Sequence, residues 1–328
     1  MPSGRKKIGA SMQDIANALQ ISKVTVSKAL RGEKGVSEAV RYQVEQKARE
    51  LGYHMEERRI SGKYAFLVSK RFFLETDSFY TKMYYEINKL CEKNNSTITL
   101  IVIRSVEEKN NLLPLQLTGG MYQGLIIAGE ISPEYVKVVR DLGAPVVLLD
   151  FDVPDLSLPS VLTENFYWGM QVTEYLIRHG HTRIGFVGNP GDTESITDRY
   201  FGYRKALMMH NLAYRPEWTI CNNRADTGIY TSAIELPDEL PTAFVCHCDM
   251  GAYYLSMTLA AKGIRCPEDV SLIAFDNTEL AAKMEPPLTS VNINLRSFAQ
   301  LALEYLNKEG TRHYVQAGLI EHLSVKQI

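Results

Sequence analysis

The residues best suited to chemistry lie in one short segment near the amino terminus, Ser11–Arg31 (SMQDIANALQISKVTVSKALR). Its spacing of apolar residues predicts two helices joined by a tight turn. The polar positions of the second predicted helix carry hydroxyls and cations, with no carboxylate: Lys23, Thr25, Ser27 and Lys28. Lysine pairs with guanine acceptors or phosphate, and short hydroxyls hydrogen-bond to either group, so this surface is suited to the major groove of DNA.

Three predicted helices hold that surface in place. The apolar positions are Ile15, Ala16 and Leu19 in the first helix, Val24, Val26, Ala29 and Leu30 in the second, and Val40, Val44, Ala48 and Leu51 in the third. Ser22 and Ser37 precede the second and third helices, where a hydroxyl accepts a backbone N–H as an N-cap. An ordinary amphipathic helical hairpin would show the same spacing in its two helices. The third helix favours a helix-turn-helix module over that alternative.

Charge is distributed unevenly along the chain, which has 328 residues and a net charge of −2. Residues 1–63 contain 13 Lys or Arg against 7 Asp or Glu, whereas the remainder contains 23 against 31. Attraction to phosphate is therefore confined to the amino-terminal module, and the acidic remainder is expected to be repelled by nucleic acid.

The sequence predicts a cytoplasmic protein. Its five cysteines are odd in number and scattered, unlike a disulfide framework: Cys91, Cys221, Cys246, Cys248 and Cys266. No apolar run reaches the length of a membrane span, and the amino-terminal residues MPSGRKKIGAS lack the apolar core of a signal peptide.

Beyond residue 63 the pattern changes to strands alternating with helices. Strands are predicted at 64–68, 97–103, 124–128, 145–149, 183–187, 242–246, 270–274 and 290–293. Helices are predicted at 79–91, 134–142, 169–178, 202–208, 250–262 and 295–306. Such alternation predicts an α/β fold of parallel sheets covered by helices. The number of strands indicates two sheets, hence two lobes with a cleft between them.

Several motifs connect the chain to a known family. In the amino-terminal module they are DIANALQISKVTVSKALRG (Asp14–Gly32), Val36 with Ser37, and ELGY (Glu50–Tyr53). In the remainder they are PVVLLD (Pro145–Asp150), TEN (Thr163–Asn165), LIRHGHTRIGFVG (Leu176–Gly188), RYFGY (Arg199–Tyr203), PEDVSLIAFD (Pro267–Asp276) and PPLTSV (Pro286–Val291). With these motifs in this order, the chain resembles the LacI/GalR family of bacterial transcription regulators.

The resemblance implies a DNA-binding headpiece (1–53), a linker (54–63) and an effector-binding and dimerisation domain (64–328) similar to type I periplasmic sugar-binding proteins. It assigns about 64–162 and 293–320 to the first lobe, and about 163–292 and 321–328 to the second. Family members usually carry a longer linker, whose hinge helix inserts a Leu into the minor groove. The linker here, HMEERRISGK, is several residues shorter and contains no Leu. We therefore expect a modified or absent hinge contact.

The resemblance also implies roles for individual headpiece residues. The residues expected to face the bases are Lys23, Val24, Thr25 and Lys28, and Val24 is expected to touch a thymine methyl group. Phosphate contacts are expected from Ser11, Gln13, Ser27, Arg31 and Ser37, and Ser22 completes the predicted DNA-binding set.

The predicted effector site consists of Phe79, Tyr80, Asp150, Glu164, Arg199, Asp249 and Asp276. Asp276 ends an apolar strand at its carboxyl end, where ligands bind in open α/β sheets, and its carboxylate can accept two sugar hydroxyls. The resemblance implies that Arg199 reaches the effector, because a guanidinium suits vicinal hydroxyls, carboxylate or phosphate. Surface ion pairs are the alternative for both residues. Cys248 and Glu164 stand where the family has Asn and Asp, which leaves the identity of the effector open.

Two other motifs partly resemble a metal site and a dinucleotide-binding loop, but neither has the spacing that such a site needs. Cys246 and Cys248 could share one face of a strand and bind a soft metal, but no second ligand cluster has zinc-like spacing, so buried strand cysteines are expected. GFVGNPG (Gly185–Gly191) differs from a dinucleotide-binding loop in its glycine spacing and contains Pro190. No catalytic signature is present, and we predict no enzyme activity, metal or cofactor.

Together these observations predict a homodimeric, sequence-specific transcription regulator of the repressor type that binds a near-palindromic operator in double-stranded DNA. A small effector, expected to be a carbohydrate, would bind in the cleft and change the affinity for DNA. Two alternatives stay open: control by a protein co-factor, and a sugar sensor that does not regulate genes.

Overall fold

The computed structural model describes residues 11–30, 35–51, 62–73, 79–119, 122–221, 234–306, 308 and 310–328. The chain divides into two compact units, residues 1–60 (the headpiece) and 61–328 (the body). The described helices are α1 (Met12–Leu19), α2 (Lys23–Leu30), α3 (Glu38–Glu50), α4 (Phe79–Lys93), α5 (Ser105–Lys109), α6 (Pro133–Arg140), α7 (Asn165–Arg178), α8 (Glu194–Met209), α9 (Asp249–Ala261), α10 (Glu279–Lys283) and α11 (Leu295–Tyr305). The described strands are β1 (Lys63–Ser69), β2 (Thr97–Ile103), β3 (Gly124–Ala128), β4 (Val146–Leu149), β5 (Ser160–Thr163), β6 (Ile184–Val187), β7 (Thr219–Ile220), β8 (Ala243–Cys246), β9 (Ser271–Asp276), β10 (Thr289–Ile293), β11 (Arg312–Val315) and β12 (Ala317–Ile320).

The headpiece is built from α1, α2 and α3 around a small apolar core. Its buried members are Ile15, Ala16, Val26, Ala29, Val44 and Ala48. Both predicted N-caps are confirmed, because the Ser22 hydroxyl accepts the Thr25 N–H at 3.0 Å and the Ser37 hydroxyl accepts the Val40 N–H at 3.4 Å. Val24 does not join the apolar core as its pattern predicted, since 64% of it is exposed.

The body contains two six-stranded sheets. The first has the order β11-β5-β4-β3-β1-β2 and its pairings are parallel, and the second has the order β12-β10-β9-β8-β6-β7. Strands such as β3, β4 and β8 are buried along their whole length, as expected for parallel strands covered by helices on both faces. We call the portions of the body built on these sheets the first and second lobe.

The last crossing between the lobes differs from the prediction. Residues 317–320 were expected in the first lobe, but β12 pairs antiparallel with β10 and so lies in the second. The preceding strand, β11, pairs with β5 in the first lobe, and Gln316 alone separates the two strands. Each of these strands is only four residues long and neither is fully buried, so no continuous apolar run marks its sheet in the sequence.

The linker prediction cannot be compared with the structure, because residues 54–61 lie outside the described residues; Gly62 and Lys63 precede and begin β1. None of the described helices is both long enough and apolar enough to cross a membrane.

Two glycines allow α7 and α8 to pack closely in the second lobe. A Cβ at Gly202 would overlap the carbonyl oxygen of Phe166 and lie 2.7 Å from the backbone nitrogen of Met170. A Cβ at Gly169 would lie 2.8 Å from the Cα of Arg199. These contacts are with backbone atoms, which cannot move aside as a flexible side chain could. The spacing of the two helices, and with it the position of Arg199, therefore depends on glycine.

Replacing Gly202 with alanine is expected to destabilise the body. Overpacking against the α7 backbone costs more than the helix propensity that alanine gains, giving a net loss of about 2 kcal/mol in the free energy of unfolding. Urea denaturation followed by far-UV circular dichroism measures this loss. Gly318→Ala is the control, because a Cβ at Gly318 would meet no atom within 4 Å. Equal stability of the two variants would contradict the close packing of α7 on α8.

Candidate functional site

The exposed face of α2 presents the side chains that the sequence singled out. Lys23, Val24 and Lys28 are exposed, while Thr25 and Ser27 are half-buried. The Thr25 hydroxyl lies 2.8 Å from that of Ser22, so this pair serves the start of the helix as well as its surface. The outward face of α2 thus combines two cations with one exposed apolar side chain.

The predicted phosphate-contacting residues have different local roles. The Ser11 hydroxyl accepts the Asp14 N–H at 3.3 Å and the Asp14 carboxylate accepts the Ser11 N–H at 2.6 Å, so Ser11 forms a capping box at the start of α1. Gln13 is exposed and donates to the side chain of Asn17 at 3.0 Å. Arg31 lies outside the described residues.

In the body, the predicted ligand-binding carboxylates lie at the carboxyl ends of strands. Asp150 follows β4 with a φ of 67°, and Asp276 ends β9 with a φ of 96°. Positive φ values are costly for residues other than glycine, and they concentrate at functional sites. Because ligands of α/β sheets bind at this edge, the strained positions agree with a binding role for both carboxylates.

Arg199 is the buried cation of this edge. It lies inside α8, which begins at Glu194, and not before a helix as its sequence pattern indicated. Its Nε–H donates to the side-chain oxygen of Asn165 at 2.8 Å, and Nη1 donates to the carbonyl of His247. Nη1 also lies 3.7 Å from a carboxylate oxygen of Asp276, so the structure brings these two predicted residues together.

Asn165 is a positioning residue that was not among the predicted effector-binding residues. It begins α7 directly after Glu164, and its side chain is buried against Arg199. The neighbouring Glu164, predicted to bind the effector, is exposed and makes no capping hydrogen bond. The TEN motif contains both residues, and the resemblance pointed to Glu164 because it stands at the acidic position of the family's Asp-Asn pair.

In the first lobe, Tyr80 and Asp150 form a buried pair. The Tyr80 hydroxyl donates to Oδ2 of Asp150 at 2.8 Å, and Phe79 packs edge-on against Tyr80 with 5.1 Å between the ring centroids. Burial raises the pKa of the Asp150 carboxyl, while the charge of Arg199 and the Tyr80 hydrogen bond oppose that rise. The predicted residues Phe79, Tyr80 and Asp150 therefore lie together in the first lobe. The charge of Arg199 in the second lobe acts on the Asp150 carboxylate.

Asp249 occupies a different environment from the other predicted ligand residues. Its carboxylate accepts hydrogen bonds from the Thr278 N–H at 2.6 Å, the Thr278 hydroxyl at 2.9 Å and the Ser290 hydroxyl at 2.6 Å. Only 1% of the residue is exposed. Asp249 thus ties the start of α9 to the segments that follow β9 and begin β10, and positions the strand ends around Asp276.

The Cys246–Cys248 segment does not share one strand face. Cys246 ends β8, whereas Cys248 is the N-cap of α9 and accepts the Gly251 N–H at 3.3 Å. Nδ1 of His247 donates to the Val187 carbonyl at 3.1 Å, so the proton resides there and Nε2 accepts from the Cys248 thiol at 3.3 Å. Burial lowers the pKa of His247 to about 4, which keeps the imidazole neutral. Both cysteines are buried.

Polar contacts join the two lobes beside these residues. Arg71 of the first lobe lies 3.6 Å from the carboxylate of Asp192 in the second, and the Glu194 N–H donates to Oε2 of Glu130 at 2.6 Å. Arg71 and Glu130 carry no recognisable motif, and only the meeting of the two sheets identifies them. The carboxyl edges of both sheets therefore face one shared site.

Comparison with known proteins assigns the two units. The profile of bacterial regulatory proteins of the lacI family matches residues 11–56, and that of the periplasmic binding protein-like domain matches residues 173–315. The chain thus combines a LacI-family helix-turn-helix domain with a periplasmic binding protein-like domain. A curated relative, the HTH-type transcriptional repressor CytR of Escherichia coli (strain K12), is 28% identical over 303 residues, covering 89% of this chain and 87% of the relative.

Solved structures show the same fold. A complex of the transcriptional regulator CelR with cellobiose has a TM-score of 0.67 at 23% identity and covers 96% of this chain and 99% of the other. The lac repressor dimer bound to operator and an anti-inducer has a TM-score of 0.65 at 19% identity and covers 97% and 100%. The chain therefore shares the fold of these two regulators, and the strands of its two sheets are parallel except for the antiparallel edge strand β12.

Replacing Asp249 with alanine tests its positioning role. Removing the carboxylate leaves the half-buried Thr278 N–H and the buried Ser290 hydroxyl without their acceptor, and we expect a loss of roughly 3 kcal/mol in the free energy of unfolding. Asp155→Ala is the control, since Asp155 is exposed in the first lobe. Thermal unfolding of both variants without ligand measures the difference. A change within about 0.5 kcal/mol of the control would instead favour direct effector binding by Asp249.

Proposed function

We propose that this protein is a sequence-specific, DNA-binding transcription regulator of the LacI family and of the repressor type. The observation that carries the proposal is the outward face of α2, where Lys23, Val24 and Lys28 are exposed without a carboxylate between them. A helix with this surface complements the donor and acceptor pattern of the major groove. The relative CytR is named as a repressor, which supports the same direction of control.

The DNA-binding form is proposed to be a homodimer that acts in the cytoplasm. Two headpieces related by a two-fold axis would bind the two halves of a near-palindromic operator. The solved lac repressor structure is described as a dimer on operator, which supports this arrangement. Lys23, Val24, Thr25 and Lys28 would contact bases, while Ser11, Gln13, Ser27, Arg31 and Ser37 would contact phosphate. Ser22 supports this surface as the N-cap of α2.

The body is proposed to bind a small carbohydrate-like effector and no catalytic cofactor. Asp150, Arg199 and Asp276 supply a carboxylate, a guanidinium and a second carboxylate at the facing strand ends, a donor and acceptor set that suits vicinal hydroxyls. CelR is described in complex with cellobiose, which supports a sugar as the ligand class. Effector binding would favour one arrangement of the two lobes and thereby change the affinity for DNA.

The boundaries of the functional units are part of this proposal. The headpiece is taken as residues 1–53 and the linker as 54–63, with the effector and dimerisation domain beyond. The hinge contact of the linker is proposed to be modified or absent, because the linker lacks the Leu that family members insert into the minor groove. Gel phasing of bound DNA compares its bend with that of a variant carrying a family-length hinge, and equal bending would contradict a modified contact.

Substitutions at Lys28 on α2 and at Arg31, which follows α2 in the sequence, are expected to separate base contacts from phosphate contacts. Lys28→Ala should change the preferred site and cost about 2 kcal/mol at the original operator, whereas Arg31→Ala should weaken all sites alike and flatten the salt dependence. Lys47→Ala is the control, because Lys47 lies on α3 beside Glu50. Fluorescence anisotropy on specific and scrambled duplexes measures each affinity. Equal, sequence-independent losses from both α2-region variants would refute the assignment.

The function as a whole is tested by selecting bound DNA from a random duplex pool, with and without a panel of sugars. A recovered palindromic site whose occupancy changes with one sugar is the expected result. Recovery of unspecific DNA that is insensitive to every sugar would contradict the proposal.

A further inference from the structure

Carboxylates outnumber cations where the two lobes meet. Three arginines there are each paired with one carboxylate: Arg71 with Asp192 at 3.6 Å, Arg199 with Asp276 at 3.7 Å and Arg312 with Asp152 at 2.6 Å. Four carboxylates of the same region form no ion pair with any described residue: Glu130, Asp150, Glu194 and Asp198. The charges of Arg199 and Arg312 also act on Asp150 or Asp198, but with seven carboxylates to three arginines the described part of this region carries an excess of acidic groups.

The four carboxylates interact with one another. The Glu194 N–H donates to Glu130 at 2.6 Å, which brings the start of α8 against the end of β3. Burial raises the pKa of Glu194, and the negative charges of Asp198, Asp152 and Glu130 raise it further. Burial also raises the pKa of Asp150, and the charge of Glu130 adds to that rise. Like charges from both lobes thus repel one another at this junction.

An unpaired oxygen of Asp150 is an independent indication that a ligand binds in this region. Only 8% of the residue is exposed, and Oδ2 is occupied by the Tyr80 hydroxyl. Oδ1 is buried and has no hydrogen-bond partner among the described residues. A buried carboxylate oxygen without a donor is costly, so this atom is suited to receive a donor from a ligand.

We propose that the effector of this protein carries a positively charged amine, so that an aminated sugar or polyol binds in preference to its neutral and phosphorylated counterparts. The inference rests on the proposed function and narrows its ligand class. A neutral sugar can donate a hydroxyl to Asp150 but leaves the surrounding charge uncompensated. A phosphate adds negative charge beside Glu130, Glu194 and Asp198 and is repelled by them.

The proposal predicts a defined pH dependence. Glu194 is faced by Asp198 from its own helix, by Glu130 and Asp152 from the first lobe, and by Arg312 on β11. Asp198 is faced by Arg199 and Arg312, and Asp150 by Arg199, Tyr80 and Glu130. Burial raises the pKa of Asp150, Glu194 and Asp198, so part of this set takes up protons as the pH falls. An ammonium group binds the ionised forms, so its affinity should fall between pH 7 and pH 5 while that of the matched neutral sugar changes less.

The experiment is isothermal titration of the full-length protein with matched sets of hexoses. Each set contains the neutral sugar, its 2-amino form, its N-acetylated amino form and its 6-phosphate, based on glucose, galactose and mannose. In the set that binds, the free amine is expected to bind at least about tenfold more tightly than the neutral and N-acetylated forms. No binding is expected for the phosphate. Tighter binding of a neutral or phosphorylated member would overturn the proposal.

Three variants link the preference to the carboxylates. Glu194→Gln and Asp198→Asn should each reduce the preference for the amine by about tenfold without weakening the neutral sugar equally. Glu217→Gln removes a charge from an exposed position elsewhere in the second lobe and should leave the preference unchanged. An unaltered preference in the first two variants would refute the role of this cluster.

Operator binding by the same preparation separates the two proposals. If no hexose of any set binds while a specific DNA site is still recognised, the amine-bearing effector is rejected and the regulator function stands. If the amine binds but no specific DNA is recovered, the regulator function fails and the ligand inference is supported.

Discussion

The buried guanidinium of Arg199 organises the end of the second lobe where a ligand would bind. A charge removed from water must be paired and hydrogen-bonded, and Arg199 meets that requirement with the Asn165 side chain, the His247 carbonyl and the Asp276 carboxylate. Its guanidinium also stacks 4.3 Å from the ring centroid of Phe275. These partners come from α7, from the segment after β8 and from β9, so one cation sets the arrangement of three strand-to-helix connections.

The same helix connects that cation to the other lobe. Arg199 and Glu194 are both on α8, and the Glu194 N–H bonds to Glu130 of the first lobe. A ligand that changes the surroundings of Arg199 therefore acts on the element that makes the contact between lobes. Because α8 packs on α7 through Gly202 without room for a side chain, the helix is expected to move as a rigid unit and not to deform locally.

Charge separates the tasks of the two units. The excess of Lys and Arg is confined to the first 63 residues, whereas the body is acidic and gathers carboxylates from both lobes where the lobes meet. Electrostatic attraction to DNA therefore belongs to the headpiece, and repulsion keeps the body from competing as a nucleic-acid surface. The acidic character that excludes DNA from the body also favours a cationic ligand within it.

The sequence alone determined the elements whose signals are local. Apolar spacing and serine N-caps predicted the three headpiece helices, and continuous apolar runs predicted β1–β4, β6 and β8–β10. These predictions succeed because the pattern of apolar residues within a segment reflects which of its side chains are buried. The motifs that end in Asp150 and Asp276 also identified two carboxylates at strand ends before their environment was known.

Tertiary structure decided what depends on partners distant in sequence. The burial of Asp249, the exposure of Val24 and Glu164, and the contact of Asn165 with Arg199 follow from packing between separate segments, which residue type does not encode. The excess of carboxylates likewise exists only because β3, β4 and α8 bring their ends together. Hydrophobic periodicity is a property of neighbours in sequence, whereas the electrostatic environment of a site is a property of neighbours in space.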